Sequence, residues 1–213
     1  MKTLTKEMQA SITPSLALDL LKEGNKRFVN NLKINRNLLQ QANETSDGQH
    51  PFAVILSCID SRTSAELIFD QGLGDVFSVR IAGNILNEDI LGSMEFGCKV
   101  AGSKIIVVLG HTKCGAVKGA CDDVQLGNLT TLIHKIKPAV EEENVTTHNR
   151  NSSNPVFVEN VAQINVKRTV QLIMDRSPIL NEMIQSGEIG IVGGIHDIST
   201  GVVTFQQEII NTK

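Results

Sequence analysis

Phe52-Ala53-Val54-Ile55-Leu56-Ser57-Cys58-Ile59-Asp60-Ser61-Arg62 is an apolar run that ends in a cysteine and an oppositely charged pair. A second run, Ile105-Ile106-Val107-Val108-Leu109-Gly110, ends in His111-Thr112-Lys113-Cys114. Aliphatic stretches of this length read as strands buried on both faces, the kind found in parallel sheets covered by helices. Open sheets of that type hold their ligands at the carboxyl ends of the strands. Cys58 and His111 are therefore expected side by side, with Cys114 on the following turn. Two thiolates and one imidazole suit Zn²⁺, and three protein ligands leave a fourth tetrahedral position for water, which marks a catalytic ion.

Working outward, Thr13-Pro14 reads as an N-cap with proline at the first helical position. Leu16, Leu20, Leu21 and Phe28 continue it as an amphipathic helix to about Asn31. Asn43–Gly48 reads as a polar connector, Thr63–Asp70 as a short helix and Asp75–Arg80 as a second strand. Asn87–Val100 reads as the crossover helix leading to the strand at Lys104–Gly110. A short helix is expected from Gly115, then helices over Thr130–Val140 and Val156–Ile184 around a polar surface loop at Glu141–Asn154. Ile189–Gly193 and Val202–Phe205 read as a last strand pair. The fold class is α/β, a mostly parallel sheet with flanking helices.

The chain has 213 residues, of which 41% are hydrophobic, enough for one full core. Its formal net charge of −3, the absence of Trp and Tyr, and only seven Phe argue against a nucleic-acid partner. No apolar segment of signal-peptide length follows the N-terminus, because Asp19, Lys22 and Glu23 interrupt the nearest one. A cytoplasmic location without a membrane partner is expected. The four cysteines are then reduced thiols or metal ligands rather than a disulfide framework.

The combination of C-x-D-S-R at 58–62 with G-H-x-x-C at 110–114, in these strand contexts, resembles the β-class carbonic anhydrases from about Ser15 to about Gln207. The resemblance implies one Zn²⁺ per chain on Cys58, His111 and Cys114, and reversible hydration of carbon dioxide to bicarbonate and a proton. It also implies a parallel sheet with an antiparallel strand near the C-terminus. A single domain over 1–213 is expected, with 1–45 as a helical arm and 50–207 as the catalytic core. Asp60 and Arg62 would form a carboxylate–guanidinium pair beside the fourth metal position, the arginine holding the aspartate ionised and away from the metal.

Gln49 lies nine residues before Cys58, where plant-like members carry a substrate-orienting glutamine; a turn beside His50-Pro51 would accept it equally well. Phe77 and Phe96 fall where those relatives place pocket aromatics, Phe96 matching a tyrosine. Ala82 stands at a larger aliphatic position, and Gly115 adjoins the pocket. In the family the protomers pair so that the arm wraps its neighbour. A homodimer is expected, with tetramers as a further step and Phe77 or Phe96 reaching the partner's site. The second, inhibitory bicarbonate site of some members uses Trp and Tyr, so it is expected to be missing.

Two thiolates cancel the formal charge of the dication, so water on this site is expected to be less acidic than on a three-histidine zinc and activity to favour alkaline conditions. His50, His134, His148 and His196 read as solvated surface residues, one of which could shuttle protons. A phosphate-cradling Cys-x₅-Arg loop is excluded, because Arg62 follows Cys58 by only four positions. The alternatives are a carbonyl sulfide or carbon disulfide hydrolase on the same zinc site, and a zinc-binding sensor without turnover. The presence of both Asp60 and Arg62 argues against the sensor.

Overall fold

The computed structural model describes residues 3–211, so both extremes of the chain lie outside the described residues. Five strands form one sheet in the order β2-β1-β3-β4-β5. They are β1 (Ala53–Ser57), β2 (Val76–Arg80), β3 (Ile105–His111), β4 (Gly190–His196) and β5 (Val203–Ile209). The first four run parallel, and β5 pairs antiparallel with β4 across a bulge between Ile191 and Gly193. Every residue of β1 and β3 is buried, as a parallel strand covered on both faces requires. Edge strand β2 is only partly covered.

The helices are α1 (Lys6–Ser11), α2 (Pro14–Val29), α3 (Leu38–Glu44), α4 (Ala65–Ile68), α5 (Glu88–Glu95), α6 (Gly115–Cys121), α7 (Gly127–His134), α8 (Lys137–Glu142), α9 (Pro155–Arg176) and α10 (Pro178–Gln185). Alternation along the strands splits the core into two layers. Val54, Leu56, Ile106 and Val108 face Ile90 and Met94 of α5, Val166 and Val170 of α9, and Leu180 of α10. Ala53, Ile55, Ile105 and Val107 face Ala17, Leu18 and Leu21 of α2 and Ile68 of α4. Gly110 allows α9 to approach β3 closely, since a Cβ there would lie 2.6 Å from the Val166 side chain. A third apolar cluster, including Val117, Ile133, Ile136 and Phe157, packs around Cys58 and Cys114 at the carboxyl ends of the strands.

Several sequence expectations are corrected in detail. α2 starts at Pro14 and is capped by the Thr13 hydroxyl as expected, but its buried stripe is Ala17, Leu18, Leu21 and Gly24. Leu16 and Leu20 point outward, 45% and 37% exposed. Helices α1 and α3 add two short helices to the segment 1–45 expected as a helical arm, where sequence singled out only the helix from Pro14. The crossover helix widens into a π-helical turn at Phe96–Val100. The long helix expected over 156–184 breaks at Ser177-Pro178, where the serine hydroxyl caps α10 by accepting from the Leu180 N–H. Within the expected surface loop, Glu143 is buried and bound by Arg150, Thr146 and Asn160.

The arm is tied to the core by Asp70, a buried carboxylate at the end of the α4 segment. Arg27 of α2 donates to one of its oxygens and Arg36 to the other, each at 2.5 Å. The residues between the two arginines follow the surface without regular structure for most of their length.

Candidate metal centre

β1 and β3 are register neighbours, Ser57 lying opposite Leu109, so the residues leaving them meet. The Sγ atoms of Cys58 and Cys114 and a ring nitrogen of His111 lie within 4.8 Å of one another, and all three residues are buried. The two sulfurs are 4.0 Å apart. Tetrahedral zinc with bonds of about 2.3 Å to sulfur would hold them roughly 3.8 Å apart.

The imidazole is set for a metal. His111 Nδ1 lies 2.9 Å from the Thr112 carbonyl oxygen, an arrangement that assigns its proton to Nδ1 and leaves the Nε2 lone pair free. Nε2 is buried with no protein partner. The thiols pull against each other: donation from Cys114 draws the Cys58 pKa down, and that same contact, with burial, pushes the Cys114 pKa well up. One thiolate forms readily and the second is resisted, a conflict that a cation between them removes. The residues present therefore fit zinc.

Asp60 stands beside this cluster, Oδ2 being 4.0 Å from His111 Nε2. Arg62 grips it with two side-chain bonds, Nε to Oδ1 at 2.9 Å and a terminal nitrogen to Oδ2 at 2.7 Å, and its backbone N–H donates to Oδ1 at 3.0 Å. The Arg62 side-chain bond holds the carboxyl well below the usual carboxylate range despite partial burial. Helix α4 begins after Ser64, so Asp60 is not its cap.

Arg80, read from sequence only as the last residue of the second strand, ties the turn after Cys58 to β2. Its Nε donates to the Cys58 carbonyl at 3.0 Å and a terminal nitrogen to the Asp60 carbonyl at 2.7 Å. No local pattern marks it, because the bonds run from the last residue of one strand to the turn after another. His196 corrects the expectation of a solvated surface. It is the register partner of His111 in β4, only 3% exposed, with neither ring nitrogen partnered. Burial, and then the neighbouring His111, pushes its pKa down to about 4. His134 and His148 are exposed and His50 is half-buried.

The expected pocket residues divide into two groups. Gly115 follows Cys114 at the start of α6 with open space beside it, and Ala82 is half-buried in the turn after β2. Gln49 is exposed ahead of β1, whereas Cys58 follows the other end of that strand. Phe77 and Phe96 stack edge to face at 6.2 Å in a groove of about 800 Å³ along β2 and α5, lined also by Arg80, Glu88 and Asp89. None of Cys58, His111 and Cys114 lines that groove.

A family model described as carbonic anhydrase matches residues 53–203. Carbonic anhydrase 2 of Mycobacterium tuberculosis is 36% identical over 210 residues, covering 93% of this chain and 95% of that protein. The fold also superposes on the β-carbonic anhydrase CcaA with a TM-score of 0.71, covering 92% of each chain at 21% identity. This chain belongs to the β-class carbonic anhydrase family. Another β-class structure, from a pair of tetrameric enzymes of the filamentous ascomycete Sordaria macrospora, is 25% identical at a TM-score of 0.69, covering 90% of this chain and 94% of that one.

Proposed function

We propose that this chain is a zinc-dependent enzyme that converts carbon dioxide and water into bicarbonate and a proton, and back, with one Zn²⁺ held by Cys58, His111 and Cys114. The observation that carries this reading is the buried His111 Nε2, without a protein partner, facing two thiols that resist ionising together. When bound, zinc supplies Lewis acidity at the open position. Asp60, ionised and turned toward Arg62, offers an acceptor there that orients the attacking oxygen toward the carbon of the substrate. Arg62 keeps the carboxylate from swinging onto the metal position and filling it. The open space beside Gly115 leaves room for a small linear molecule to approach.

The working unit we propose is a homodimer, with dimers pairing into tetramers as a further step. Within one chain Gln49, Phe77 and Phe96 lie away from the ligands, so they act by completing the partner's site. The outward Leu16 and Leu20 and the uncovered side of β2 supply surface for that contact. We place the enzyme in the cytoplasm, where the free thiols of Cys58, Cys98, Cys114 and Cys121 stay reduced. Among the described residues no helix is long and apolar enough to cross a membrane.

Stopped-flow measurement of carbon dioxide hydration beside metal analysis tests the reading. Cys58→Ser is expected to lose most of its zinc and to slow by roughly a thousandfold, the equivalent of several kcal/mol of lost Lewis-acid stabilisation. Full zinc occupancy in that variant would refute the ligand assignment.

A further inference from the structure

Asn165 is a polar residue on the buried face of α9, 4% exposed, with Val161, Ala162, Val166 and Thr169 buried on the same helix. An amide in such surroundings needs a partner, and its Nδ2 donates to the Gly83 carbonyl at 2.9 Å. The Gly83 N–H in turn donates to Cys58 Sγ at 3.3 Å. The carbonyl and the N–H belong to the two peptide units that flank the Gly83 Cα, and the residue joining them has little freedom to turn away. Gly83 sits at φ +67°, and the place a Cβ would occupy lies 2.6 Å from Ile136 Cδ1 and 3.1 Å from Ala116 Cβ.

We propose that Asn165 is a positioning residue of the metal centre: by fixing the carbonyl on one side of the Gly83 Cα it restrains that residue, so that the N–H on the other side stays aimed at the Cys58 sulfur. The inference rests on Cys58 being a zinc ligand. A hydrogen bond to a thiolate withdraws electron density from the sulfur, so the sulfur gives less charge to the metal and the metal remains a stronger Lewis acid. The aim comes from a helix more than a hundred positions after the ligand, through a glycine whose backbone alone carries the contact. A purely structural account, in which Asn165 only satisfies a buried carbonyl, predicts lost stability and nothing else.

Cobalt substitution separates the two accounts. In Asn165→Leu loaded with Co²⁺, the sulfur-to-cobalt charge-transfer band should move to longer wavelength, because the unbonded thiolate is easier to oxidise. With zinc, kcat should fall roughly tenfold while KM changes little, the usual scale for losing an outer partner of a ligand. Asn165→Ser, which also removes the amide but strains the core less, should show the same shift if the leucine variant does not fold. An unmoved band in a folded, cobalt-loaded variant, with only the melting temperature lowered, would overturn the proposal. If wild-type protein gave no thiolate-to-cobalt band at all, the ligand assignment would fail first, and the role of Asn165 with it.

Discussion

The two ends of the sheet are built differently. At the carboxyl ends of β1 and β3, Cys58, His111 and Cys114 are buried, fastened by Arg80 and Thr63 to neighbouring turns, and complete within one chain. At the amino end of β1, and in the groove beside β2, Gln49 and Phe96 stand exposed, Phe96 at 54%, and no ligand lies near them. Binding a metal and handling a substrate are thus separate structural problems here. The fold of one protomer brings the first set of groups together; in the homodimer proposed above, a neighbouring copy would complete the second.

Changes at the buried end should act on chemistry in every assembly state. Asp60→Asn cannot keep the negative charge that Arg62 grips, and hydration is expected to slow by roughly a thousandfold while zinc stays bound. Wild-type turnover in this variant would remove Asp60 from the mechanism. At the exposed end, Phe96→Asp should break the contact between copies and lower kcat/KM about a hundredfold with metal content unchanged, since misplaced pocket residues are costly. Light scattering beside the assay checks this: a fully active monomer would end the idea of a shared site. Gln49→Ala should leave assembly and zinc intact and cost about tenfold in kcat/KM, the worth of one hydrogen bond to substrate. An unchanged value would return Gln49 to a turn residue.

The smallest effect concerns His196. With its folded pKa near 4 against an ordinary value of 6.5, the unfolded chain binds the extra proton between those limits. Stability of the metal-free protein should therefore be fully present above about pH 6.5, decline as pH falls toward about 4, and level off below it. His196→Asn should flatten that slope in urea titrations at stepped pH. An equally steep slope in the variant would assign the loss to other groups.

The strands around the ligands were legible in the sequence because fully buried parallel strands carry continuous apolar runs, and Cys58 and His111 end two of them. The turn at Gly115 and the capped start of α2 were legible through local chemistry as well. Leu16 and Leu20 misled, because the actual stripe of α2 uses Ala17, Leu18 and Gly24, and small residues carry little hydropathic weight. His196, Arg80 and Asn165 left no trace. Their partners come from other strands and helices, and a histidine at a strand end looks the same in sequence whether it meets water or another imidazole.

The Asp70 clamp has a consequence for how this chain tolerates change. Arg27 and Arg36 close the segment between them onto one carboxylate, so that segment behaves as a tethered loop whose ends are already paired. Lengthening such a loop costs only the logarithm of its size, about 0.6 kcal/mol for each doubling. Insertions between Asn31 and Lys33, ahead of the Ile34 N–H that also donates to Asp70, should therefore accumulate with little penalty. Loss of the single carboxylate would instead take the counterion from two guanidinium groups at once and leave them only backbone carbonyls to hold.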